Sequence, residues 1–123
     1  MLVFDSGVGG LSICQAIITA SPAINLDYLS DNAAFHYGEK TAEQLIERAT
    51  GLLIHCHQLL PADLIVIACN TASTILLPSL RKIWNIPIVD VVPALKTAPQ
   101  KSKTKSLGLL ATPGTLKRNY NQA

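Results

Sequence analysis

Cys69 ends an apolar run, Leu64 to Cys69, and is followed at once by Asn70, Thr71 and Ser73. Such a run reads as a strand buried on both faces, and the residues after it as the start of a helix. The N–H groups and dipole at a helix N-terminus favour an anion, the setting in which a thiol serves as a base or nucleophile. From position alone, a reactive thiol and a small buried residue at a tight turn are both open readings. The same pattern, an apolar run closed by small polar or ionisable groups, recurs along the chain. Asp5 and Ser6 follow Leu2-Val3-Phe4. Asp31 and Asn32, then Tyr37 and Gly38, follow Leu26–Ser30, and Thr112 and Thr115 follow Leu107–Ala111. In open α/β sheets ligands bind at the carboxyl ends of the strands. The topology is expected to bring at least three of these ends onto one rim, a stronger signal than any single residue.

Several familiar reactions fail on particular positions. Gly7-Val8-Gly9-Gly10 lacks the third glycine of a dinucleotide loop, because Ser12 stands there. No Lys-Ser/Thr follows the glycines, so the Walker pattern also fails. What remains is a strand-to-helix turn whose exposed N–H groups can hold a carboxylate or phosphate, or a plain tight turn. A phosphatase loop needs Arg where Ile75 stands, and an Asp-x-Asp phosphotransfer pair needs Asp where Gly7 stands. A Gly-x-Ser-x-Gly elbow is absent. His55 and His57 are two apart on a helix and point in different directions, a poor metal pair. His36 lies beside Tyr37 and is within reach of the rim. Cys14 and Cys56 fall within helices and read as structural, and Trp84 and Tyr28 as packing residues. The three cysteines form no CxxC pair, which argues against a disulfide framework and a structural zinc site and for a reducing, cytoplasmic setting.

The elements that must carry these residues alternate. After the strand at 2–4 comes a helix over Leu11–Ala20, with Leu11, Ala16, Ile17 and Ala20 partly in phase, stopped by Pro22. A second strand spans Leu26–Ser30, and Asp31–Lys40 is a polar loop. Thr41–Leu60 is the clearest helix, capped by Thr41 with Glu43 in the first turn and ended by Pro61. Its apolar positions recur at i, i+3, i+4 and i+7. Leu64–Ala68 is the third strand, residues 71–84 a helix kinked at Pro78, and Ile88–Val92 the fourth strand. Lys96–Lys105 reads as a connector and Leu107–Ala111 as a fifth strand, with Thr112–Thr115 opening a last turn or helix. Such alternation implies an open, doubly wound parallel α/β sheet with helices on both faces.

Composition agrees with that architecture. Of 123 residues 49% are hydrophobic and 15% charged, so the chain can build a core and is not a disordered tail. The apolar run at 64–69 is far short of the roughly 20 residues of a membrane span. The N-terminus has no basic region and no long apolar segment, so no secretory signal is expected. Residues 1–95 hold eight acids and four bases, and residues 96–123 six bases and no acid. Lys101, Lys103 and Lys105 alternate with small polar residues and lack stacking aromatics. They read as a solvated loop rather than a nucleic-acid surface.

Four segments taken together carry a resemblance. Phe4-Asp5-Ser6-Gly7-Val8-Gly9-Gly10-Leu11, Tyr37-Gly38-Glu39-Lys40, Ala68-Cys69-Asn70-Thr71-Ala72-Ser73, and Ala111-Thr112 with Gly114-Thr115 and Tyr120 resemble the glutamate racemases. These belong to the cofactor-independent aspartate/glutamate racemase superfamily. The resemblance implies interconversion of L- and D-glutamate for peptidoglycan, with no cofactor and no metal, by two cysteines on opposite faces of the substrate. It makes Cys69 the first of these, acting on the D enantiomer, with Asp5 assisting its proton transfer. It assigns Ser6, Tyr37, Gly38, Asn70 and Thr71 to the carboxylates and ammonium of the substrate, and places Thr112 and Thr115 near them.

The chemistry suits these residue types. An amino-acid α-proton is a very weak acid, so its removal without a pyridoxal cofactor needs a poised base and stabilisation of developing charge. His36 departs from the Pro that the family usually has before Tyr-Gly. Family chains are roughly twice this length, and their second half carries the partner Cys, followed by Thr and His. Residues 1–95 are therefore expected to form a first domain lacking its returning segment. Residues 96–104 are expected to be a connector, and 105–123 the start of a second, similar domain. The chain alone is expected to be inactive and, with apolar surface uncovered, to self-associate. A non-catalytic binding domain for a small amino acid or carboxylate on the same fold is the alternative.

Overall fold

Four parallel strands form the sheet: β1 (Leu2–Asp5), β2 (Asp27–Ser30), β3 (Ile65–Ile67) and β4 (Ile88–Asp90). A computed structural model describes residues 1–91 and 98–116, without the side chain of Thr115. The helices are α1 (Leu11–Ala20), α2 (Ala42–Leu59), α3 (Asn70–Ile83), α4 (Ala98–Lys101) and α5 (Pro113–Leu116). The strand order is β2-β1-β3-β4. Among the described residues no helix is long and apolar enough to cross a membrane.

Alternation along the strands decides which face each side chain serves. Leu2 and Phe4 of β1 and Ile65 and Ile67 of β3 point to one face. There they meet Leu45, Ala49 and Leu53 of α2 and Ala72, Ile75, Leu76 and Leu80 of α3. Val3, Val66 and Ala68 point to the other face, onto Cys14, Ile13 and Ile17 of α1. Helices therefore cover both faces, as the doubly wound reading expects. The cover on the α1 side stops short of β4, where Val89 is half exposed.

Local chemistry explains the helix ends. Thr41 caps α2 and completes a capping box with Gln44, worth about 1 kcal/mol. α3 runs on through an exposed Pro78. The contact face of α1 differs from the expected one. Leu11, Ala16 and Ala20 are exposed, and Cys14 is the buried residue, flanked by Ile13 and Ile17. A ten-residue helix rich in apolar residues on several sides has no unique phase, and packing chose this one.

The expected loop at 31–40 holds two 3-10 turns, Asn32–Ala34 and Tyr37–Glu39. The connector contains α4. The expected fifth strand is not one: Leu107–Ala111 is irregular, and Leu107, Leu109 and Leu110 are exposed. A strand needs a neighbour to take its backbone hydrogen bonds, and the described sheet ends at β4. Residues 92–97 and 117–123 lie outside the described residues. They include the end of the fourth expected strand, the start of the connector and Tyr120.

Candidate active site

β1 and β3 are neighbours, yet the chain leaves them on opposite faces, through α1 and α3. That divergence opens a crevice at the carboxyl ends of the two strands, the topological switch point of this fold. Asp5 and Ser6 arrive there from β1, and Cys69, Asn70 and Thr71 from β3. Asp5, Cys69, Asn70 and Thr71, with Thr112, line a cleft of about 620 Å³. An adjoining cleft of about 530 Å³ shares Asp5 and Gly9 and extends over Ser6, Asn32 and Phe35.

Cys69 is the N-cap of α3. Its Sγ accepts the Ala72 N–H at 3.5 Å and lies 3.4 Å from Ser6 Oγ, which can donate to it or accept from it. Both contacts can solvate a negative sulfur, and the side of Cys69 that remains faces the cleft. The other two thiols differ. Burial pushes the Cys14 thiol up from its ordinary value, and burial followed by the charge of Asp27 does the same to Cys56. Both sit on helices, as expected of structural cysteines.

Asp5 is almost fully buried and held by donors. Oδ1 accepts the Ser6 N–H at 2.7 Å, and Oδ2 accepts the Gly10 N–H at 2.8 Å and the Tyr28 hydroxyl at 3.0 Å. The close approach requires glycine at position 10. A Cβ there would lie 3.0 Å from the Cβ atoms of Asp5 and Ala68 and 3.1 Å from the Tyr28 ring. Tyr28 thus does more than pack. Burial, with Asp5 beside it, pushes its phenol well above the usual range.

Thr71 and Thr112 stand hydroxyl to hydroxyl at 3.3 Å across the cleft. Gly38 backs onto Thr112, and a Cβ at Gly38 would come within 2.9 Å of the threonine side chain. Asn70 is exposed on the first turn of α3. Tyr37 is not on the rim by its side chain: its ring lies in the core beside Phe4, and its hydroxyl donates to Asp31 Oδ2 at 2.7 Å. Its backbone, leading into Gly38, is the part near the cleft. Thr115 lies on α5, and its side chain is outside the described part. His36 stacks on Phe35 and lines a further cleft with Gly38, Glu39 and Thr112. His57 is satisfied, its Nδ1 accepting the Ala62 N–H at 3.2 Å and its ring set edge-on to Trp84. Among the described residues no group of three His, Cys, Asp or Glu side chains could hold a metal ion.

Asp31 anchors the turn that carries Tyr37 and Gly38. Arg48 of α2 grips its carboxylate with two N–H donors at 2.7 Å each. The hydrogen bonds from Arg48 hold the Asp31 carboxyl below its ordinary value, against the opposing effect of burial. A lowered folded value means that Asp31 contributes stability above its unfolded value of about 3.9, and that this is lost as pH falls through the folded value. Thermal unfolding of the native chain and of Asp31→Asn is therefore expected to differ clearly at pH 6, with the gap closing on acidification. A gap that stays constant down to pH 2.5 contradicts the assignment.

A parallel sheet with a capped thiol and a clamped carboxylate at its switch point suits proton transfer to and from a small polar molecule. The profile of the Asp/Glu/Hydantoin racemase family matches residues 9–123, and the chain belongs to that family. Within it the similarity is to glutamate racemases. The chain is 51% identical to the glutamate racemase of Shewanella frigidimarina, over 100% of this chain and 48% of that protein. It is 52% identical to that of Vibrio cholerae, over 99% and 46%. The structure superposes on Escherichia coli glutamate racemase, solved with L-glutamate and the activator UDP-MurNAc-Ala, with a TM-score of 0.92. Sequence identity there is 46%, over 98% of this chain and 46% of that one. The Aquifex pyrophilus enzyme gives 0.87 at 37% identity, over 98% and 48%. The chain therefore spans about half the length of the curated relatives it matches.

Proposed function

We propose that these residues form one half of a glutamate racemase site, in which the Cys69 thiolate removes or returns the α-proton on one face of the substrate. The observation that carries this is the seating of Cys69: at the N-cap of α3, 3.4 Å from Ser6 and open to a cleft lined by Asp5, Asn70, Thr71 and Thr112. Asp5 assists the proton transfer. No hydrogen bond joins Asp5 to Cys69 among those of the described residues, so Ser6 is the group that links the two. Asn70, Thr71 and Thr112 offer amide and hydroxyl groups to the carboxylates and ammonium of glutamate, together with Ser6 and the Tyr37–Gly38 backbone. Thr115 lies near them. The partner base comes from a segment corresponding to the other half of the relatives, and no cofactor takes part. The product serves peptidoglycan synthesis in the cytoplasm. Residues 1–95 are the first domain, 96–104 the connector and 105–123 the start of the second.

The test is thiol reactivity. Limiting iodoacetamide near neutral pH, followed by peptide mapping, is expected to label Cys69 well ahead of Cys14 and Cys56. Cys14 is buried and Cys56 half-buried, and burial pushes both thiols up, which disfavours the reactive thiolate. Faster labelling of either in a chain with a folded far-UV signal contradicts the role given to Cys69.

A further inference from the structure

Tyr28 and Ser30 stand two residues apart on β2, on the face they share with Val3 and Asp5 across the parallel register. Both hydroxyls reach the Gly7 carbonyl, Tyr28 at 2.7 Å and Ser30 at 2.6 Å. The Tyr28 oxygen is also 3.0 Å from Asp5 Oδ2. A phenol has one proton to donate and a lone pair with which to accept. Tyr28 therefore cannot donate fully to both acceptors. Among the described residues only Gly7 has a second hydroxyl, that of Ser30, to keep it satisfied when Tyr28 turns away. Ser30 Oγ lies closer to the Gly7 carbonyl, at 2.6 Å, than to its other acceptor, Asn32 Oδ1, at 3.1 Å.

We propose that Tyr28 is a positioning residue whose hydroxyl swivels with the protonation state of Asp5. When Asp5 is a carboxylate, Tyr28 donates to Oδ2 and Ser30 alone serves the Gly7 carbonyl. When Oδ2 carries a proton, Asp5 donates that proton to the Tyr28 oxygen, and Tyr28 turns its own proton to Gly7. Oδ2 keeps a lone pair for the Gly10 N–H, and Oδ1 keeps the Ser6 N–H throughout. Tyr28 never loses its proton; only the proton of Asp5 is exchanged with the rest of the site. Asp5 can thus gain and lose a proton without moving the backbone that carries Ser6 toward Cys69. Among the described residues the titratable groups facing this pair are Cys14 from α1 and Cys69 from the end of β3, and neither is a cation. The inference rests on the proton-transfer role proposed for Asp5 and deepens it.

The test is an acid titration of the 123-residue chain carrying ¹³Cζ-tyrosine and ¹³Cγ-aspartate, with Tyr28 and Asp5 assigned through the backbone. The Tyr28 Cζ resonance is expected to shift with the same midpoint as the Asp5 carboxyl, and that shift is expected to vanish in Asp5→Asn. A Cζ resonance that stays flat while Asp5 titrates, or a shift that survives Asp5→Asn, overturns the swivel. The native titration alone can overturn it, so the test stands even if Asp5→Asn does not fold. Because it reads hydrogen bonding and no turnover, a failure of the racemase reading would leave its result standing.

Discussion

The 123-residue chain, purified and monodisperse, is expected to leave L-glutamate unracemised over hours when the reaction is followed by circular dichroism. Inversion needs one group to take the α-proton and a second to return a proton from the opposite face. The chain has three cysteines, and only Cys69 opens on the switch-point cleft. Cys14 is packed under α1 against Val3, Val66 and Ala68, and Cys56 packs along α2 against the core on the other face. A base that both removes and returns the proton on one face regenerates the starting enantiomer. The chain also spans about half the length of its relatives, and positioning lost with the other half is expected to multiply the deficit. The loss relative to those enzymes is expected to be many powers of ten. Exposed Leu107, Leu109, Leu110 and Leu116 favour self-association, which makes monodispersity a condition of the assay. Cys69→Ala is the control. Turnover that this substitution abolishes would mean that copies of the chain assemble a complete site, and the half-site reading would fall.

What was legible in the sequence was local. The run Leu64–Cys69 reads as a strand buried on two faces, and the residues after it as the start of a helix. Those two facts place Cys69 at a strand end before a helix N-terminus; that this end is also the switch point follows from the strand order β2-β1-β3-β4. The stripe of α2 and its Thr41 cap are equally local, since i, i+4 spacing and a capping threonine act within one or two turns. What was illegible depends on residues far apart. Arg48 finds Asp31 across 17 positions, and nothing in either neighbourhood announces the pair. Tyr37 sits in a polar loop, yet Asp31 supplies a buried acceptor that draws its hydroxyl inward. Leu107–Ala111 has the composition of a strand, but a strand is a property of two segments, and no described strand pairs with it. Tyr28 is an intermediate case. Alternation alone puts it on the face of Asp5, once β2 is known to pair with β1 in this register. The missing piece was the register.

The largest effect expected of a conservative substitution is that of Asp5→Asn. The assay is a chimera that joins residues 1–123 to the remaining half of the Shewanella frigidimarina enzyme. Turnover is expected to fall by about 10²-fold or more, the usual contribution of a positioned acid–base group. Sequence alone suggests little cost to folding, because a carboxylate at a strand end has no evident structural task. The contacts of Asp5 say otherwise. Its two oxygens face N–H donors on both sides, Ser6 at 2.7 Å and Gly10 at 2.8 Å. An asparagine has one oxygen to offer. Whichever way the amide turns, its NH₂ meets a backbone N–H and leaves a buried donor unpaired, at a cost of about 1–3 kcal/mol. Urea unfolding of the chimera measures that cost separately from turnover. Because the N–H groups of Ser6 and Gly10 bind a carboxylate whatever its catalytic role, the stability loss is expected in any case. The turnover loss is the part that tests the chemistry. A variant less stable by this amount yet racemising at the native rate would make Asp5 a clamp on the β1 turn and leave Cys69 without its proposed proton partner.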